Sequence, residues 1–280
     1  MTGSPSRLQR PVPALLEMLT ERDLLLLKDL EQFRLLSTRQ LQRLRFTTHS
    51  SSSSATRTTI RVLGRLERHG VITRLTRRVG GSLRGSAGTV WQLASTGERL
   101  LRFMAGDPIR RRYVEPSIQF AAHTLAVADY AISLVEADRL GTTELLELQT
   151  EPDCWREHTT ASGSRESVKP DLYAVTADAT FETHSFIEID LGTEHLPAVL
   201  RKCAVYQRHY ASGTEQASSG VFPAVVWITT TSARADKIRA AIRSDATMTA
   251  SLFHTTTPSE AGAIIAPTSP STITSKGGTS

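Results

Sequence analysis

The sequence predicts two successive folds: an α+β N-terminal part of helices and a β-hairpin, then an α/β part. Three observations carry this. The 280-residue chain has a net charge of +5, but residues 1–114 hold 21 Lys and Arg against 8 Asp and Glu, leaving +13 in front and −8 behind. Apolar residues recur with a helical period up to Gly70 and in short strand-like runs after it. From Glu144 onward, apolar runs follow the order strand, strand, strand, helix, strand. Sequence composition divides the chain into a flexible 1–19, a basic domain over 20–114, an α/β domain over 115–254 and a disordered Thr/Ser/Pro/Gly-rich tail over 255–280.

Several classes are excluded at this level. No run of about 18 apolar residues is present, so no membrane-spanning helix is expected. The polar start lacks the apolar stretch of a signal peptide, and the expected compartment is the cytoplasm. Two cysteines, Cys154 and Cys203, give neither a disulfide framework nor a four-ligand zinc pattern. Cys154 and His158 are four apart, a spacing that reads as chance.

In the basic domain, Thr20 with Glu21 and Asp23 starts a helix that continues from Leu24 to Leu35. Ser37-Thr38-Arg39-Gln40 is a capping box opening a short helix with Leu41 and Leu44. After a serine run over 49–54, residues 56–69 read as a third helix with Ile60, Leu63 and Leu66 on its apolar side. Gly70 lies past its end. Arg57, Arg61, Arg65 and Arg68 recur at spacings of four, four and three and so share one helical face. Strands are expected over 71–75 and 90–93, joined by a basic loop with Arg77, Arg78 and Arg84. Ser95-Thr96-Gly97-Glu98 reads as another capping box, with a helix running on to Arg102. Three helices and a hairpin with a basic tip make a winged helix-turn-helix. Its partner is double-stranded DNA, with the third helix in the major groove and the loop arginines on the flanking backbone. Twenty of the 21 basic residues over 1–114 are arginine, Lys28 being the exception, and arginine forks suit phosphate and guanine. A winged helix used for protein contact is the alternative, and an interaction surface needs no such charge.

The α/β domain opens with a long helix from Ser117 to about Leu140. Strands follow over 144–149, 169–175 and 184–191, a helix over 197–210, a strand over 223–229 and a helix over 233–243. Residues 156–167 read as a loop. Glu188 and Asp190 lie two apart on one strand and share a face. Asp171 joins them if its strand pairs with theirs. Converging carboxylates suit Mg²⁺ or Mn²⁺, which activates water and offsets phosphate charge.

Pro170-Asp171 followed by Glu188-Ile189-Asp190 resembles the PD-(D/E)-x-K nuclease motif, which implies a restriction-endonuclease-like domain. The resemblance implies that Asp171 and Glu188 are metal ligands. The motif's lysine position holds Asp190, and Lys202 on the next helix is the substitute. Asp190 alternatively caps the loop before Glu194. More narrowly, residues 20–245 resemble the replication-relaxation family of actinobacterial plasmids and integrative elements. The cues are Leu36-Ser37-Thr38 with Leu41, His123-Thr124-Leu125-Ala126-Val127, Pro170-Asp171, the run from Glu188 to Glu194 and Tyr206. That resemblance implies plasmid replication, relaxation or mobilisation, with a metal-dependent nick at an origin. Tyr206 is then a candidate nucleophile, against the reading of a packed aromatic. His123 is a candidate to orient a carboxylate, and Glu147 and Glu151 to complete a metal site. A non-catalytic replication initiator or transcription regulator with a degenerate nuclease domain is the alternative. A scaffold for other replication or conjugation proteins is a third.

Overall fold

The computed structural model describes residues 12–48, 51–75, 88–106, 118–160 and 162–265. The chain forms two compact units, Met1–Ile132 and Ser133–Ser280.

The first unit begins with α1 (Val12–Leu16), inside the segment expected to be flexible; it buries Leu15. Helix α2 (Glu21–Phe33) starts at the expected cap. Thr20 accepts from the Asp23 N–H, and Asp23 accepts from the Thr20 N–H at 2.9 Å. Strand β1 (Leu36–Ser37) is too short to show a pattern. Helix α3 (Thr38–Arg45) carries the predicted box between Ser37 and Gln40. Helix α4 (Ser52–Arg68) starts four residues before the expected position, because Ser51 caps it through the Ser54 N–H. The expected serine loop is thus mostly a helix start. Ala55, Thr59, Val62, Leu63 and Leu66 form its buried stripe, whereas Ile60 is 57% exposed, contrary to the expectation.

Strands β2 (Ile72–Arg74) and β3 (Val90–Leu93) pair antiparallel, and β1 adds to the other edge of β3. Helix α5 (Ser95–Ala105) is capped by Ala94 without a side-chain bond, so the second predicted capping box does not form. Gly97 instead serves packing. A Cβ there would stand 2.1 Å from the Val71 carbonyl oxygen. Helix α6 (Ile118–Arg139) contains the division between the units. Within the first unit, Gln40 donates to the Leu125 carbonyl at 2.7 Å and Arg43 pairs with Asp129.

The second unit is built on β4 (Glu144–Thr150), β5 (Arg156–Thr159), β6 (Arg165–Val168), β7 (Leu172–Ala177) and β8 (Glu182–Asp190). Helices α7 (Leu196–Ser212) and α8 (Thr214–Ser219) follow. Then come β9 (Ala224–Thr229), α9 (Ser232–Ser244), β10 (Phe253–Thr256) and α10 (Gly262–Ile265). The main sheet has the order β10-β9-β8-β7-β4. β4, β7 and β8 run antiparallel in turn. β9 and β10 join parallel, each reached by a helical crossover, as parallel pairing requires. β8 is central, and Ser185 to Asp190 are all buried, as expected for a strand covered on both faces. Phe186, Val199, Cys203, Tyr206, Val225, Trp227, Ile238 and Ile242 form the core between this sheet and α7 and α9.

Two expectations are corrected here. Residues 156–167 form the hairpin β5–β6 rather than a plain loop. The fold extends past the expected tail boundary at 255. β10 and α10 continue the fold to Ile265, and the Thr176 hydroxyl donates to the Ile265 carbonyl. The remainder of the tail lies outside the described residues, as does the arginine-rich segment 110–116, which reads as an interdomain linker.

The Gly97 contact is testable. Gly97→Ala should destabilise the chain by about 2 kcal/mol, the cost of overpacking against fixed backbone. Denaturant unfolding measures this, and an unchanged midpoint would show that the Val71 turn yields.

Candidate functional site

The site begins with a buried carboxylate. Glu188 sits on the central strand and is 1% exposed. A carboxylate there needs donors, because desolvating an unpaired charge costs several kcal/mol. Both oxygens receive one. Lys202 Nζ donates to Oε2 and the Tyr206 hydroxyl to Oε1, each at 2.5 Å. Lys202 and Tyr206 are four apart on α7, one turn, with Val199 and Cys203 packed into the core beside them. Pro197 at the first turn of α7 fits its helix start.

Asp171 stands just before β7, beside the β7–β8 ladder, where Leu172 is opposite Ile187. Its Oδ2 accepts the Ile189 N–H at 2.7 Å, and its own N–H donates to the Ile187 carbonyl. The expected pairing of the two strands is therefore present, and Asp171 lies within electrostatic reach of Glu188, Lys202 and Tyr206. Burial pushes the Glu188 carboxyl up to about 7. Asp171 adds to that rise, and Lys202 and Tyr206 oppose it. Burial works against the Lys202 ammonium, but Glu188 and Asp171 outweigh it and hold its pKa above the usual lysine value. The Tyr206 phenol is pushed well up by burial and by Glu188. Tyr206 is fully buried and already donates to a carboxylate, so its geometry is that of a positioning group.

Asp190 shares the strand face but serves a different contact. It accepts from the Gly192 N–H at 2.9 Å, capping the loop, and pairs with Arg234 Nε at 2.6 Å. Arg234 also donates to the Glu194 carbonyl. Sequence reading did not find Arg234. It lies 44 residues away on α9, and only the parallel crossover brings it to the end of β8. The weaker candidates lie on other elements. Glu147 is exposed on β4 and accepts from Gln149. Glu151 follows β4, and His123 lies on α6 within the first unit. Cys154 is buried and donates to the Pro170 carbonyl, while His158 lies against His209 with ring centroids 5.0 Å apart.

Among the described residues, no group of three or more His, Cys, Asp and Glu is placed to hold a metal ion. Asp171 and Glu188 offer two hard oxygen donors. That is the number Mg²⁺ takes from protein where water and phosphate fill the rest of its shell. The donor chemistry therefore fits, although both Glu188 oxygens already carry a hydrogen bond.

The arginine row divides in two. Arg65 donates to both oxygens of Asp23 at 2.5 Å, and Asp23 is fully buried, so Arg65 braces α4 against α2. Arg57, Arg61 and Arg68 are exposed. Arg68 folds back toward the Gly64 carbonyl, whereas Arg57 and Arg61 form no ion pair among the described residues. Gly64 lies on the same exposed face, with open space where a Cβ would stand. Arg77, Arg78 and Arg84 lie outside the described residues.

Fold and site define a two-unit chain. A basic helical unit precedes a mixed five-stranded sheet with a buried carboxylate–lysine–tyrosine centre. The chain belongs to the replication-relaxation family, whose profile matches residues 27–225, well over half its length. Membership implies a role in plasmid replication or relaxation. The match includes Asp171, Glu188, Lys202 and Tyr206 and ends before Arg234. No curated protein and no solved structure matches the chain significantly. Among the described residues, no helix is long and apolar enough to cross a membrane.

The buried carboxylate has a pH signature. A carboxyl with a folded-state pKa above its unfolded value near 4.5 holds its proton more tightly when folded. This contribution is fully present below about 4.5 and is lost as pH rises through about 7. The stability difference between wild type and Glu188→Gln should therefore change across that window, by at most about 1.4 kcal/mol per pH unit. Denaturant unfolding at several pH values reads it, and a pH-independent difference would contradict a proton-sensitive Glu188.

Proposed function

We propose that this chain is a DNA-binding protein of a mobile element. Its first unit acts as a winged helix that reads duplex DNA through α4. Its second unit is a restriction-endonuclease-like domain that nicks the duplex at an origin. The observation that carries the catalytic reading is Lys202 on Glu188, beside Asp171 on the paired strand. The motif's lysine position is taken by Asp190, and Lys202 supplies the same charge from the helix that follows.

In this reading Asp171 and Glu188 hold Mg²⁺ or Mn²⁺, which when bound offsets charge at the phosphate. Lys202 is the partly exposed member of the cluster, with 34% of its side chain accessible. It orients water toward the phosphorus, and Tyr206 fixes the Glu188 carboxylate. Attack by the Tyr206 oxygen is disfavoured, because a buried phenol with a raised pKa is a poor and inaccessible nucleophile.

The test is supercoiled plasmid carrying the cognate origin, incubated with Mg²⁺ or Mn²⁺. Open circles should form, and their rate should fall at least a hundredfold in Asp171→Ala and Glu188→Gln, the scale for removing an electrostatic catalytic group. Binding without nicking in every metal would favour the second reading, a non-catalytic initiator or regulator. That reading is supported by Glu188 having both oxygens already occupied.

DNA binding has its own test. The double variant Arg57→Ala, Arg61→Ala should weaken duplex binding about tenfold and lower its salt slope by roughly two. Arg65→Ala should instead reduce stability, because it leaves Asp23 buried without its partner. If the double variant binds like wild type, α4 is not the recognition element.

A further inference from the structure

Trp155 and Lys169 lie outside the hydrogen-bonded Glu188–Lys202–Tyr206 cluster. They flank the open end of the β5–β6 hairpin, one step beyond the Arg156–Val168 pair. Alternation sends their neighbours inward. Arg156 stacks on the Tyr173 ring at 4.8 Å, and Val168 is 1% exposed. Trp155 and Lys169 remain outside, with the Lys169 ammonium 4.3 Å from the indole centroid. Trp155 is 36% exposed, whereas Trp91 and Trp227 are 4% and 2% exposed. A large aromatic left in water with a cation across it is a recognition surface more than a packing element.

The pair is also fixed relative to the cluster. The backbone N–H of Trp155 donates to the Pro152 carbonyl at 3.0 Å. The neighbouring Cys154 thiol is fully buried and donates to the carbonyl of Pro170, the residue before Asp171. Lys169 precedes Asp171 by two residues.

We infer that Trp155 and Lys169 bind an unpaired nucleotide of a DNA strand running past Asp171. The base stacks on the indole. The flexible lysine, which covers the ring when no strand is bound, moves to the adjacent phosphate. An exposed cation–π contact is weaker than a base stacked on an aromatic ring, so the exchange is favourable. Single strand is the ligand chosen because stacking on a base face requires the base to be out of the duplex. This rests on the proposed action on DNA and adds which strand form the second unit holds.

Intrinsic fluorescence gives a direct readout, since Trp155 is the exposed indole. Oligothymidylate titrated into the full chain should quench emission saturably. Trp155→Ala should abolish the quenching and weaken binding of a labelled strand about tenfold, the scale of one stacked base. Trp155→Phe should keep most of the affinity, and Lys169→Ala should lower the salt slope by about one. Duplex binding through α4 should be unchanged in all three variants, and an unchanged denaturant midpoint of the second unit shows that they are folded. Absent quenching, or equal strand affinity in Trp155→Ala, overturns the inference. If duplex still binds while the strand does not, this site alone falls. If the wild type binds neither, the DNA reading falls with it.

Discussion

A single buried carboxylate sets the constraint on the second unit. Glu188 lies on a strand covered on both faces, where an unpaired charge costs more than any one packing contact returns. Its two donors come from one turn of one helix. Satisfying both fixes the rotation of α7 about its axis and its height over β8. The same rotation places Val199 and Cys203 against the sheet. An apolar residue at 188 would pack as well at lower electrostatic cost. A charge there costs stability, and what it returns is the fixed placement of Lys202, Tyr206 and α7 over the sheet.

Charge in the first unit has two uses, and counting residues does not separate them. Arg45 makes a bidentate pair with Asp29, Arg65 reaches both Asp23 oxygens through Nη2 alone, and Arg74 bonds Glu67 beside Trp91. These arginines hold helices and strands to one another. The part left for an external anion is narrower than the +13 of residues 1–114 implies. On α4 it is the face carrying Arg57, Arg61 and Arg68, with Ile60 and Gly64 between them. An exposed isoleucine and an open glycine are poor choices for helix stability in water. Both suit a helix face that something else approaches closely.

What was legible in the sequence was local. The cap at Thr20 and the box at Ser37 form because cap and partner lie three residues apart, whereas the same spacing at Ser95 fails because α5 already starts there, after Ala94. The Lys202–Tyr206 spacing was readable as one helical face for the same reason. What failed was either too short or too polar to show a period. β1 has two residues, and the β5–β6 hairpin is rich in charge and hydroxyls. β10 is a Thr-rich edge that looks like a tail until β9 is there to pair with it. An aliphatic residue such as Ile60 usually faces inward, but the buried stripe of α4 runs through Thr59 and Val62 instead. Arg234 was out of reach, since its contact with Asp190 depends on a crossover connection.

That last contact changes how Asp190 is understood. Set against a nuclease-like motif, an acid in the lysine position looks like damage. In the folded chain it is half of an ion pair that holds α9 to the end of β8, while Arg234 also braces the loop at Glu194. A lysine at 190 would face Arg234 and would leave the Gly192 N–H without its acceptor. The positive charge near Glu188 is not missing; it comes from α7. The two ion pairs use separate carboxylates on one strand face, one tied to each helix. The departure from the motif is thus coupled to the way both helices are attached to the sheet, and it does not by itself argue for a dead site.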